Sequence, residues 1–148
     1  MNESTVDQLI KSPWFVRIHH VGIAVANLND AIAQYETLFG IPVQRIEVVD
    51  DQKVKTAFFS IGESHFELLE ATEESSPIAK YLLKYRPGIH HICVEVNDID
   101  SVIRTYLKEG IQMIDKVARP GAHNMKVAFV HPKSTNGVLL EIAETSSH

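Results

Sequence analysis

The chain has 148 residues, 45% of them apolar and 22% charged, with a formal net charge of −5. That composition suits a soluble globular protein, and the acidic balance gives no basic field of the kind nucleic acid requires. The single cysteine, Cys93, excludes an intrachain disulfide and a thiolate metal cluster.

Met1 to Trp14 lacks a basic region followed by an apolar run, so no signal peptide is expected there. No stretch reaches the roughly 18 apolar residues of a membrane span. A soluble protein of the cytoplasm, with no membrane partner, is the default expectation.

The first periodic segment, Ile18-His19-His20-Val21-Gly22-Ile23-Ala24-Val25, reads as a strand. An amphipathic helix follows, with Leu28, Ala31, Ile32, Tyr35, Leu38 and Phe39 on one face and Gly40 at its end. Strands are predicted near 41–50, 54–61 and 64–71, separated by turns at Asp50-Asp51 and Gly62-Glu63. Ser76-Pro77 opens a short helix that ends before Pro87-Gly88.

The pattern then begins again. Ile89-His90-His91-Ile92-Cys93-Val94-Glu95-Val96 repeats the opening strand at an offset of 71 residues, from His20 to His91. At that offset Ile18, His19, His20, Val25, Ile32 and Tyr35 all meet identical residues. A second helix carries Ile99, Val102, Ile103, Tyr106 and Leu107, and Gly110 closes it. Strands are predicted near 112–117, 125–130 and 138–143. Phe66-Glu67-Leu68-Leu69-Glu70 in the first half matches Leu140-Glu141-Ile142-Ala143-Glu144 in the second.

The expected architecture is α+β: one domain over 1–148 made of two tandem βαβββ modules. The first covers about 16–72, a linker helix about 76–86, and the second about 88–144. Each module supplies a histidine in its first strand and a glutamate in its last. A single such residue is more often structural or solvated, but four recur at matching positions. If first and last strands lie together, and the modules are related by a pseudo-twofold axis, His20, Glu67, His91 and Glu141 converge on one point. Imidazole and carboxylate donors suit zinc, cobalt, nickel, manganese or iron. Strict alternation sends His19 and His90 to the opposite face, beneath the helices. It leaves His65 on the face of Glu67 and makes Cys93 a small wall residue.

These segments resemble the vicinal oxygen chelate (glyoxalase/bleomycin resistance/dioxygenase) superfamily, from about Ile18 to Glu144. The opening His19-His20-Val21-Gly22-Ile23-Ala24-Val25 carries the superfamily likeness. Ser76-Pro77-Ile78-Ala79-Lys80, Pro120-Gly121-Ala122-His123 and the run from His131 to Glu141 are similar to the methylmalonyl-CoA epimerases within it. The resemblance implies an eight-stranded cupped mixed sheet with helices on its outer face, a homodimer and one divalent ion, cobalt first, then manganese, zinc or nickel. It implies an isomerase acting on an acyl-CoA substrate, interconverting (2R)- and (2S)-methylmalonyl-CoA by moving the C2 proton through an enolate.

On that reading His20, Glu67, His91 and Glu141 hold the metal, and Glu141 and Glu67 are the acid/base candidates. Thr56 stands where some relatives have a carboxylate. His65, His123, Lys126, Lys133 and Ser134, with Arg119 and Thr135, are candidates for substrate contacts. A glyoxalase I-like isomerase can use the same ligand set and is the alternative. An iron dioxygenase and a non-catalytic ligand-binding protein are further ones.

Overall fold

Helices form where sequence provides both an apolar face and a cap. Leu28–Phe39 (α1) starts at Asn27, whose side chain accepts from the Asp30 N–H, and stops at Gly40 with φ 65°. Pro77–Lys84 (α2) is capped by Ser76, and Ile99–Lys108 (α3) by Asp98. The computed structural model describes residues 14–145. The segment read as lacking a signal peptide therefore lies almost wholly outside the described residues.

The strands are Phe15–Ala24 (β1), Arg45–Val49 (β2), Val54–Ile61 (β3), Ser64–Ala71 (β4), Gly88–Val96 (β5), Arg119–Pro120 (β6), Met125–Val130 (β7) and Leu140–Thr145 (β8). They make one mixed sheet in the order β2-β3-β4-β1-β5-β8-β7-β6. The two opening strands, β1 and β5, lie antiparallel at its centre. Each has the last strand of its own half parallel beside it, β4 next to β1 and β8 next to β5.

Alternation along the strands sorts the two faces. Leu68 packs with Ile23, Phe59 and the α1 residues Leu28, Ala31 and Ile32, while Ile142 packs with the α3 residues Ile99, Val102 and Ile103. Their neighbours Glu67 and Glu141 turn the other way. Leu69, also on that inner face, packs against Ile78 of α2. The linker helix thus covers the inner side of the first half, whereas the two repeat helices cover the outer side.

The recurring second glutamates complete each half. Glu70 accepts from the Leu28 N–H at the start of α1, and Glu144 accepts from the Ile99 N–H at the start of α3 at 2.9 Å. Each strand end thereby places a carboxylate on a helix N-terminus, where free N–H groups and the helix dipole favour it.

The predicted strand over 112–117 does not form. Met113 makes one isolated bridge to Val130, and Ile114 and Asp115 both donate to the same carbonyl, that of Phe129. The Asp115 carboxylate accepts the Phe129 N–H at 2.8 Å, so a side chain occupies the donor a ladder would have used. Pairing with β7 resumes only at the two residues of β6.

Candidate metal centre

His20 and His91 are placed by the β1–β5 ladder. His20 lies opposite Cys93 and Gly22 lies opposite His91, so each histidine faces a small residue of the other strand. The ladder skips one residue of β1 between Ile18 and His20, and one of β5 between His91 and Ile89. His19 and His90 are therefore bulge residues at matching positions of the repeat.

The bulges overturn the expectation from alternation. His19 Nδ1 lies 2.8 Å from His20 Nδ1, and His90 Nδ1 lies 3.0 Å from His91 Nδ1. Neither His19 nor His90 sits beneath α1 or α3; an inserted residue breaks the period of two and turns both toward the site, where His90 also meets Tyr81 of α2 edge-on at 5.1 Å. Burial, reinforced by the neighbouring His20 and His91, lowers the pKa of His19 and of His90 to about 4. Both are neutral near pH 7, with a lone pair for the N–H of the adjacent ring.

The buried ring and carboxylate atoms then converge. His20 Nε2 lies 2.9 Å from His91 Nε2 and 3.1 Å from Glu141 Oε1, and His91 Nε2 lies 3.2 Å from that same oxygen. Adjacent donors on an octahedral ion with bonds of about 2.1 Å stand about 3.0 Å apart. The three atoms thus fit one face of such a coordination shell, in a donor set suited to a first-row divalent ion.

Glu67 is beside this triangle but not at its vertex. Its Oε2 lies 2.9 Å from His20 Nδ1, on the far edge of the ring, and 3.0 Å from His123 Nε2. Burial works against its charge, but His20 and the hydrogen bonds from His123 and His20 hold its pKa down at about 2. Glu141 is fully ionised for the same kind of reason: hydrogen bonds from His20 and His91 outweigh the cost of burial. Burial also opposes the charged form of His20, yet the charge of Glu67 and bonds with Cys93, Glu141 and Glu67 raise its pKa well above the usual value. In a buried cluster of two carboxylates, positive charge is what the site selects. Burial pushes the Cys93 thiol up to about 12, so it is no nucleophile at neutral pH.

A cavity of about 210 Å³ opens beside the triangle, with His91 and His90 in its wall. Pro77 and Ile78 of α2, Phe129, Ile114 and Leu139 supply its apolar surface, and Asp51, Gln52 and Arg119 its polar rim. Arg119 spans the two halves, with Nε 3.1 Å from Asp115 and Nη1 3.4 Å from Asp51.

Of the other candidates for substrate contacts, none lines this cavity. His65 is stacked on His123 and near Ser60. Lys126 pairs with Glu144 at 3.7 Å, by the cap of α3. Lys133 and Ser134 are exposed in a turn after β7, where Ser134 Oγ accepts from the Gln112 N–H and Thr135 bonds within the turn. Thr56 is buried opposite Leu69. Sequence reasoning missed the lining residues Phe129, Leu139 and Gln52. Leu139 had a signal: it stands two positions before Glu141, on the same side of an extended segment.

Residues 19–129 match the model of the Glyoxalase/Bleomycin resistance protein/Dioxygenase superfamily, and the chain belongs to that superfamily. Within it, the chain is 37% identical over 142 residues to the mitochondrial methylmalonyl-CoA epimerase of Dictyostelium discoideum, covering 95% of this chain and 86% of that protein. It is 40% identical over 131 residues to an ethylmalonyl-CoA/methylmalonyl-CoA epimerase of Cereibacter sphaeroides, covering 86% and 97%. A solved methylmalonyl-CoA epimerase in complex with methylmalonyl-CoA and NH4+ superposes with a TM-score of 0.85 at 32% identity, over 90% of this chain and 96% of that one.

Proposed function

We propose that this protein is an isomerase that interconverts the 2R and 2S forms of methylmalonyl-CoA. The observation that carries the reading is the buried triangle of His20, His91 and Glu141 beside a cavity, in a chain whose relatives along nearly its whole length are epimerases of this substrate. The relative that also carries ethylmalonyl-CoA in its name extends the reading to 2-alkylmalonyl thioesters as a class.

His20, His91 and Glu141 are the residues that would hold a divalent ion. Such an ion would supply positive charge for the thioester oxygen as the C2 proton leaves. The acyl group enters past Phe129, Ile78 and Leu139, whose apolar surface excludes water from the carbanion-like carbon. Arg119 at the rim faces the anionic end of the substrate. Glu141, ionised and buried, accepts the C2 proton on one face, and inversion is completed by a second acid that protonates the planar carbon from the opposite face. Glu67, the second acid/base candidate from the sequence, has Oε2 engaged by two ring nitrogens and serves better as a fixed negative charge behind His20. The enzyme acts as a homodimer on this reading.

The test is deuterium entry at C2 of methylmalonyl-CoA in D2O, followed by mass spectrometry on cobalt-loaded, metal-stripped and Glu141→Gln protein. Metal-dependent exchange that is lost in the variant is the expected result. No exchange with metal verified in the protein would sink the epimerase reading, and the hemithioacetal of methylglyoxal and glutathione would then test the glyoxalase alternative.

A further inference from the structure

Among the described residues, one buried side-chain polar atom has no hydrogen-bond partner: Nε2 of Gln52. An amide N–H shut away from water without an acceptor destabilises a fold, and folded proteins pair nearly all such groups. Gln52 lies in the wall of the cavity beside the histidine triangle, where a ligand would supply the acceptor that the protein does not.

Two turns bring it there. Gln52 ends the short helical turn Asp50–Gln52 at the tip of the β2–β3 hairpin, and Lys53 follows with φ 55°. This tip meets the turn between β6 and β7 from the other half of the repeat. Arg119 of β6 reaches Asp51 at 3.4 Å, and a β-carbon built on Gly121 would lie 3.4 Å from Gln52 Nε2. That β-carbon would also overlap the Val127 side chain, at 2.7 Å. Gly121 therefore has no side chain to offer the amide and leaves it room.

The surroundings decide what kind of acceptor fits. Apart from the site histidines the cavity wall is mostly apolar, with Val54, Leu69, Ile78 and Phe129 in it, and Asp51 and Arg119 are its charged groups. Asp115, itself part-buried, anchors Arg119 at Nε, 3.1 Å away, whereas the contact of Nη1 with the exposed Asp51 is longer. An exposed pair of that kind is worth at most about fivefold in an equilibrium constant, so a ligand anion displaces Asp51 readily. A guanidinium N–H and an amide N–H on one stretch of wall match the two oxygens of a carboxylate. The last torsion of Gln52 is broad, and rotation about it carries Nε2 toward the cavity that the side chain lines.

We propose that Gln52 is a substrate-binding residue that selects for the free carboxylate of a 2-carboxyacyl thioester: its Nε2–H, unpaired within the protein itself, donates to that carboxylate beside Arg119. The kind of ligand rests on the epimerase reading above; what is added is the residue that separates a 2-alkylmalonyl thioester from a plain acyl thioester. A site built to hydrogen-bond one substrate group rejects an analogue lacking it more strongly than an apolar pocket rejects a missing methylene. The same donor that destabilises the protein alone thus strengthens the complex.

The experiment compares the zinc-loaded full chain with Gln52→Met, which keeps the length of the side chain without its polar group. Removing a donor that has no partner should raise the melting temperature by a few degrees. Calorimetry should show methylmalonyl-CoA bound about 10–100-fold more weakly, as expected for a lost hydrogen bond to a charged group. Propionyl-CoA, which lacks the carboxylate, should bind within about twofold of wild type. Gln52→Glu, similar in shape but negatively charged, should weaken methylmalonyl-CoA further. A purely structural glutamine would melt lower on substitution and change both ligands alike. Lower melting of Gln52→Met, equal losses for the two thioesters, or a wild type that binds them alike would overturn the inference. Selective binding without C2 exchange in the wild type would sink the epimerase reading and leave Gln52 in its role; full turnover with no effect of Gln52→Met on binding would do the reverse.

Discussion

A β-carbon built on Gly22 would lie 2.3 Å from Cε1 of the His91 ring and 2.6 Å from its Nδ1. The glycine is required by packing, because its backbone needs no unusual conformation. At the equivalent position of the other half Cys93 fits against His20, so the two halves give their histidines different room. Gly22→Ala must push His91 out of the triangle. Overpacking of this kind costs about 1–3 kcal/mol, and zinc binding should fall by more than tenfold. Thermal melting and isothermal titration check both, and Cys93→Ala, which adds no bulk, should leave zinc binding within a few-fold.

The metal-free protein should be most stable near pH 6–7. The lowered pKa values of His19 and His90 mean the unfolded chain takes up protons first, at about 6.5, and the folded one only near 4. Stability is thus lost as pH falls through that window, by about 2–3 kcal/mol for each histidine. The raised pKa of His20 acts on the other side. Its contribution is complete below about 6.5 and is lost as pH rises through its folded value. Melting temperatures of stripped protein between pH 4 and 9 should pass through a maximum; a monotonic rise with pH would refute the charged state of His20.

Bound metal should raise stability and shift that profile. A ligand at 100 times its Kd adds about 2.7 kcal/mol to folding when the unfolded chain does not bind it. The gain should be largest above pH 7, where His20 gives up its proton most easily, and should shrink toward pH 5. Paired melts with zinc and with chelator measure the difference directly, and an equal gain at both pH values would count against His20 as a ligand.

The repeat made much of this site legible. His20, His91, Glu67 and Glu141 could be chosen because the two halves carry them at matching places, and the structure brings all four within one cluster. Alternation failed for His19 and His90, since a period of two presumes an uninterrupted ladder and both are inserted residues. The strand over 112–117 was misread because the Asp115 side chain, not the backbone, answers Phe129. The Arg45–His123–Glu67 contacts join residues up to 78 positions apart and break the repeat, so neither periodicity nor self-similarity could point to them.

Glu70 and Glu144 should prove structural despite lying three residues from the site glutamates. Each accepts from a helix N-terminal N–H, and losing such a cap costs about 1 kcal/mol. Glu144→Ala should lower the melting temperature by about 2–4 °C and leave zinc affinity unchanged. A tenfold loss of metal with no change in melting would reverse that assignment.

Glu141→Gln separates holding a metal from moving a proton. Glutamine keeps an oxygen to occupy the corner 3.1 Å from His20 Nε2 and 3.2 Å from His91 Nε2, but it cannot accept a proton at neutral pH. General acid–base groups contribute roughly 10²–10⁴-fold, so C2 exchange should fall by that factor even when the variant is saturated with cobalt. Glu67→Gln should behave differently. Its amide oxygen still accepts from His20 Nδ1, so saturated protein should retain most of its exchange, with the defect appearing as weaker metal binding. Rates measured at saturating and limiting cobalt distinguish the two cases. If saturated Glu67→Gln is as inert as Glu141→Gln, the carboxylate behind His20 takes part in proton transfer itself.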